Sequence, residues 1–172
     1  MIITYTQDFS DYLDQEEIGK LKNAITSFIQ LVLHNQDAPL LDRMHLTVGV
    51  DNTLKDNKNN PVPAVSSLQN MSIDFNIECC RVSYTDHYLA LFAHEIGHIF
   101  PQLYPEQKLF QKYLRIPFIP DMGDAENGCK EPFPIPKFES NKPPYREFVA
   151  DYHACSWVGK DKIKTLRRMN IS

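Results

Sequence analysis

No run of about 18 or more apolar residues occurs in the 172-residue chain, so no membrane-spanning helix is expected. Met1 to Tyr5 lack the basic flank and long apolar stretch of a secretory signal. A cytoplasmic setting, or delivery as an effector, is the matching expectation. The four cysteines, Cys79, Cys80, Cys129 and Cys155, form no C-x-x-C pair, which sets aside a cysteine-type structural zinc site. Cys79 and Cys80 fall in an expected strand, face opposite ways there, and read as small buried apolar residues rather than a disulfide. That favours a reducing compartment. An excess of basic charge is also missing. The formal net charge of −4 argues against a general nucleic-acid binder, and no helix-turn-helix module is evident.

What is present suits one globular domain over residues 1–172, long enough to bury a core. Residues 15–34 read as a helix capped by Asp14, with Ile18, Leu21, Ile25, Phe28, Ile29 and Val32 at helical spacing. Met44 to Val50 reads as a strand, and the turn-rich segment from Asp51 to Pro61 as an exposed loop. Ser72 to Tyr84 reads as the clearest strand: Ile73, Phe75, Ile77 and Cys79 alternate with Asp74, Asn76 and Glu78. Residues 101–146 hold nine of the twelve prolines, which excludes long regular elements there apart from a short helix over Glu106 to Tyr113. This insert packs by its own Phe118, Ile119, Phe133 and Phe138, forms a substrate-shaping lid, or does both. A helix resumes over 144–159, with Pro144 in its first turn and Gly159 as its stop. The basic tail from Lys160 to Ser172 reads as solvated surface.

The most informative segment is His94-Glu95-Ile96-Gly97-His98. It follows the apolar run Leu89-Ala90-Leu91-Phe92-Ala93, with a capping signal at Ser83 to Asp86 and a stop expected at Pro101. Residues i and i+4 share a helix face, so His94 and His98 can aim at one metal ion. Glu95 lies about 100° round the helix, placed to take a proton from a water held by that metal. Gly97 is poor for helix propensity, and its expected use is to let another backbone pack close. The rival reading is a buried helix with two hydrogen-bonded histidines. Against it stands the cost of burying Glu95 without a partner.

A catalytic zinc site takes three protein ligands and keeps one position open. In Arg146-Glu147-Phe148-Val149-Ala150-Asp151, Glu147 and Asp151 stand at i and i+4 on a face otherwise made of Ala150, Ala154 and Val158. Zinc for Glu147 and an imidazole N–H for Asp151 would satisfy both acids, whereas the rival is a solvated acidic pair. His153 lies about 240° round the helix from Glu147 and ranks below it as a ligand. A second donor for a developing oxyanion is sought among Tyr145, Tyr152, His153 and His87. His87 reads more readily as a solvated first-turn residue.

H-E-I-G-H followed by Glu147-Phe148-Val149-Ala150-Asp151, of the form E-x-x-A-D, resembles the glutamate-zincins. Within them it is similar to the ImmA/IrrE-type and Ste24/HtpX-type peptidases. The resemblance implies one Zn2+ per chain on His94, His98 and Glu147, Glu95 as general base, and Asp151 orienting a liganding histidine. It implies an α+β, zincin-like domain in which a small mixed or antiparallel sheet packs on an active-site helix and a glutamate helix. The expected activity is hydrolysis of peptide bonds in a protein substrate, with strand 72–84 as an edge strand that pairs with it. The chain lacks the membrane helices of the Ste24/HtpX type, and its Pro-rich insert is long for a compact ImmA/IrrE domain. The alternatives are a non-cleaving zinc-containing regulatory module, a zinc hydrolase of a non-peptide bond, and a metal-free interaction protein.

Overall fold

The computed structural model describes residues 1–12, 14–80, 87–104 and 143–169. The expected helix over Glu106 to Tyr113, the aromatic packing of the insert, Cys129 and the capping signal at Ser83 to Asp86 lie outside the described residues. In chain order the elements are β1 (Ile2–Tyr5), α1 (Asp8–Asp11), α2 (Gln15–Val32), α3 (Ala38–Leu41), β2 (His45–Val50), β3 (Ala64–Ser67), β4 (Ser72–Phe75), α4 (Ile77–Cys80), α5 (His87–Leu103), α6 (Pro143–Val158) and α7 (Lys160–Met169). The architecture is α+β. Among the described residues no helix is long and apolar enough to cross a membrane.

The sheet is mixed, in the order β1-β2-β4-β3. β1, β2 and β4 run parallel, and β3 pairs antiparallel with β4. Leu46 and Val48 of β2 and Ile73 and Phe75 of β4 are buried in the core. Asp14 caps α2 as expected, its carboxylate accepting the Glu17 N–H at 3.1 Å. Ile18, Leu21, Ile25, Phe28 and Val32 form the buried stripe of that helix.

Strand 72–84 is corrected in two ways. It ends at Phe75, because two asparagine side chains turn the chain into α4. Asn52 Oδ1 accepts the Ile77 N–H at 2.9 Å, and Asn76 Oδ1 accepts the Cys79 N–H at 3.1 Å. Cys79 and Cys80 therefore stand on a helical turn, where Ile77 and Cys80 share the buried side. Among the described residues Cys79, Cys80 and Cys155 form no disulfide. Second, β4 is an internal strand between β2 and β3, so the antiparallel edge of the sheet is β3.

α5 is the centre of the molecule. Every residue from His87 to Phe100 except His98 is buried. α2, α6, α7 and β3 all pack against it. A helix enclosed on all sides is apolar all round, and its sequence is so apart from the site residues. Its aromatic side chains knit the layers together. Phe92 meets Phe28 edge-on at 5.2 Å and stacks on Phe75 at 6.5 Å, while Phe100 meets Trp157 of α6 at 5.3 Å. Burying each such ring is worth roughly 1.5–3 kcal/mol.

α5 does not stop at Pro101 but runs to Leu103. The proline removes one N–H donor near the helix end. In this last turn the Gln102 side chain donates to the His98 carbonyl at 2.6 Å and the Tyr104 N–H to the Phe100 carbonyl at 3.1 Å. Gly159, at φ +93°, breaks α6 from α7 where the sequence indicates. The tail is more than a solvated surface: it forms α7, which buries Ile163 and Leu166.

Candidate metal centre

Two helices supply the site. α5 carries His94 and His98, with Glu95 beside His94 in the chain, and α6 carries Glu147 and Asp151. The i, i+4 spacing brings the His94 and His98 rings edge-to-face with centroids 4.6 Å apart. Their Nε2 atoms are 3.1 Å apart. Glu147 reaches across with both oxygens, Oε2 to His94 Nε2 at 3.2 Å and Oε1 to His98 Nε2 at 3.3 Å. One ligand atom from each of the three residues lies within 4.8 Å of the others. Ligands about 2.05 Å from a tetrahedral zinc stand roughly 3.3–3.4 Å from one another. The two imidazole nitrogens, 3.1 Å apart, are near that spacing, and each has its own Glu147 oxygen at 3.2 or 3.3 Å. Two imidazole nitrogens and a carboxylate oxygen are also a donor set that suits zinc.

Asp151 stands behind His94, with Oδ1 2.8 Å from Nδ1. A carboxylate only accepts, so Nδ1 carries a hydrogen, and Nε2 is the nitrogen that faces the cluster, where a metal would take the place of its proton. The Asp151 side chain is 4% exposed and that of His94 8%, whereas His98 and Glu147 are 20% and 45% exposed. The cluster is closed on the His94–Asp151 side and open at Glu147.

Burial alone would push the His94 imidazole down. The hydrogen bonds His94 makes to Asp151 and Glu147 outweigh it and hold His94 above its ordinary range. Burial likewise opposes ionisation of Glu147, and contact with both imidazoles overrides it, keeping the carboxyl well below the usual range. This arrangement of carboxylates favours a cation at the imidazoles, whether a proton or a metal. Glu95 is 6% exposed and close enough to His94 to add to that field.

The four oxyanion candidates separate. The side chain of Tyr145 lies outside the described residues. Tyr152 is half-buried, next to Asp151 in the chain. His153 belongs to the core, stacked on Trp157 at 5.5 Å and edge-on to Phe100 at 5.3 Å. His87 is not a solvated first-turn residue: it is 6% exposed, and neither ring nitrogen has a hydrogen-bond partner among the described residues. Burial pushes His87 and His153 each down to about 4.

The sequence reading missed β3, the edge strand packed against α5. Its signal is four residues long, Ala64-Val65-Ser66-Ser67, directly after Pro63. No family model matches the chain, and no curated protein or solved structure matches it.

Proposed function

We propose that this chain is a zinc-dependent metallopeptidase of the glutamate-zincin type that hydrolyses peptide bonds of a protein substrate. The observation that carries the reading is the cluster of His94, His98 and Glu147, in which one donor atom from each residue lies within 4.8 Å of the others. These three residues would hold one Zn2+ per chain, with Asp151 fixing the His94 tautomer. Zinc held there would polarise a substrate carbonyl and acidify a water. Glu95 takes the proton of the attacking water and delivers it to the leaving amine. Glu95 is buried at 6% exposure and its charge acts on His94. The partly exposed Glu147 and His98 mark the side from which substrate enters. An extended peptide pairs with β3, the antiparallel edge strand that packs on α5. The remaining expectations complete the reading: a single zincin-like domain, the 101–146 segment as its insert, a cytoplasmic or effector setting, and no nucleic-acid or membrane partner.

The deciding experiment is Glu95→Gln. The amide is nearly isosteric and cannot accept the proton, so zinc content and fold are expected to persist while hydrolysis falls by at least about 100-fold. Proteome-wide cleavage mapping of wild type against this variant reads out both activity and substrate. Identical cleavage in the two proteins would remove Glu95 from the chemistry. Absence of cleavage by a zinc-loaded wild type would favour a binding module or a non-peptide substrate.

A further inference from the structure

α5 and α6 touch backbone to backbone at Gly97 and Ala150. A Cβ placed on Gly97 would lie 2.4 Å from the Ala150 carbonyl oxygen, 2.8 Å from its Cα and 2.9 Å from its carbonyl carbon. All three are main-chain atoms of a residue with no exposure, so no rotamer change makes room. Gly19 in α2, by contrast, has nothing within 4 Å. The glycine at 97 is a matter of space. Glycine disfavours the helix relative to alanine, which the close approach must offset.

The crossing is bracketed by the candidate ligands on both helices. Gly97 lies between His94 and His98, and Ala150 between Glu147 and Asp151. Relaxing a 2.4 Å approach to the 3.4 Å of ordinary contact moves the backbones apart by about 1 Å. Glu147 is the only member of the donor triangle on α6, so it takes most of that displacement. Its contacts of 3.2 and 3.3 Å would open past about 4 Å, too wide for one small ion. The His94–His98 pair sits on one helix and stays together.

We infer that Gly97 is a positioning residue: its missing side chain sets the α5–α6 spacing that carries Glu147 into the same coordination triangle as His94 and His98. In its metal-binding consequence this rests on the proposed zinc site. The packing claim stands without it.

The test is zinc titration against a competing chelator for wild type, Gly97→Ala, Glu147→Ala and the double variant. Gly97→Ala is expected to weaken zinc by more than about 100-fold, beyond the 10–100-fold typical of losing an outer hydrogen-bond partner. Because Gly97 acts through Glu147, the double variant should bind no more weakly than Glu147→Ala alone. Additive losses, or unchanged affinity in Gly97→Ala, would overturn the assignment. Gly19→Ala is the control for helix propensity and should leave zinc affinity unchanged. If Gly97→Ala does not fold unaided, the same titrations are run on all variants with a stabilising osmolyte present, with the same expected order.

A metal-free arm separates this inference from the zinc reading. Thermal midpoints of Gly97→Ala, Glu147→Gln and their combination are measured with chelator present. If the crossing holds Glu147 against the imidazoles, the combined shift should fall short of the two single shifts added together. Full additivity would refute the positioning role. A wild type that binds no zinc would end the metal reading, and this cycle would still decide the role of Gly97.

Discussion

Asp151→Asn is the most discriminating single substitution behind the metal centre. The wild-type carboxylate lies 2.8 Å from His94 Nδ1 and is 4% exposed, so no water competes for the bond. Asparagine keeps the shape and one acceptor oxygen but loses the charge. Hydrogen bonds to charged groups contribute about 1.5–3 kcal/mol and neutral ones about 0.5–1.5, so the substitution is worth roughly 1–2 kcal/mol. That is a factor of about 5–30 in zinc affinity, overlapping the 10–100-fold range for such partners of a liganding histidine. The amide can also present its NH2 group to Nδ1. His94 would then carry its hydrogen on Nε2, the nitrogen that faces Glu147 and His98, and binding would weaken further. Asp151→Ala leaves the Nδ1–H buried without an acceptor, a penalty of about 1–3 kcal/mol. The expected order of dissociation constants is wild type, then Asn, then Ala. A chelator competition at fixed pH gives the constants, and melts of the metal-free proteins confirm that all three fold. Equal zinc affinity for wild type and Asp151→Asn would refute the claim that Asp151 acts on the site through His94.

With a chelator present, the buried neutral rings of His87 and His153 contribute stability that is complete above about 6.5 and lost as pH falls toward 4. Over that interval the unfolded chain takes up protons that the folded chain does not. Each ring contributes at most roughly 3 kcal/mol. His94, held above its ordinary range, acts oppositely, and its contribution declines as pH rises above 6.5. Midpoints measured from pH 4 to 9 should therefore peak near 6.5, and an acid limb unchanged in His87→Phe would contradict the assignment. Trp157→Phe keeps the ring contacts with Phe28 and Phe100 but removes the 2.9 Å hydrogen bond from Nε1 to Asp37, which is 3% exposed. The stranded carboxylate should cost about 1.5–3 kcal/mol, or roughly 3–12 °C in Tm, and a loss below about 1 °C would show that the pair is unimportant.

The features legible in the sequence are those fixed by a local period. The α2 stripe, the His94–His98 pair and the Glu147–Asp151 pair all follow from 3.6 residues per turn. Gly97 was legible as a close-approach site because glycine inside an apolar helix needs a reason. The misses share a different cause. β4 stops at Phe75 because Asn52, 25 residues before Ile77, supplies a cap that no window around residue 77 contains. β3 pairs over only four residues, and its value lies in its position at the sheet edge, which is a tertiary fact. α7 has too few apolar residues to declare itself until α5 and α6 cover Ile163 and Leu166. His87 looks like a surface residue at a helix start, but α5 is buried along its length, so its first turn is buried as well.

The enclosure of α5 also explains why polar groups on and around it, His87 excepted, come in pairs. An imidazole, hydroxyl or carboxylate cut off from water must find a partner or cost roughly 1–3 kcal/mol. Tyr88 of α5 donates to Glu17 of α2 at 2.8 Å, and His94 donates to Asp151 of α6 at 2.8 Å. On α6, Trp157 donates to Asp37 at 2.9 Å. Each bond spans more than fifty residues of sequence and fastens a different element to the central helix or to its neighbour. In such surroundings electrostatic interactions are stronger than in water, so the carboxylates that hold His94 in register also set its charge. The same packing that makes α5 the structural centre therefore dictates the protonation and direction of His94. An error of about 1 Å at the Gly97–Ala150 contact would be transmitted to Glu147 instead of being absorbed by solvent.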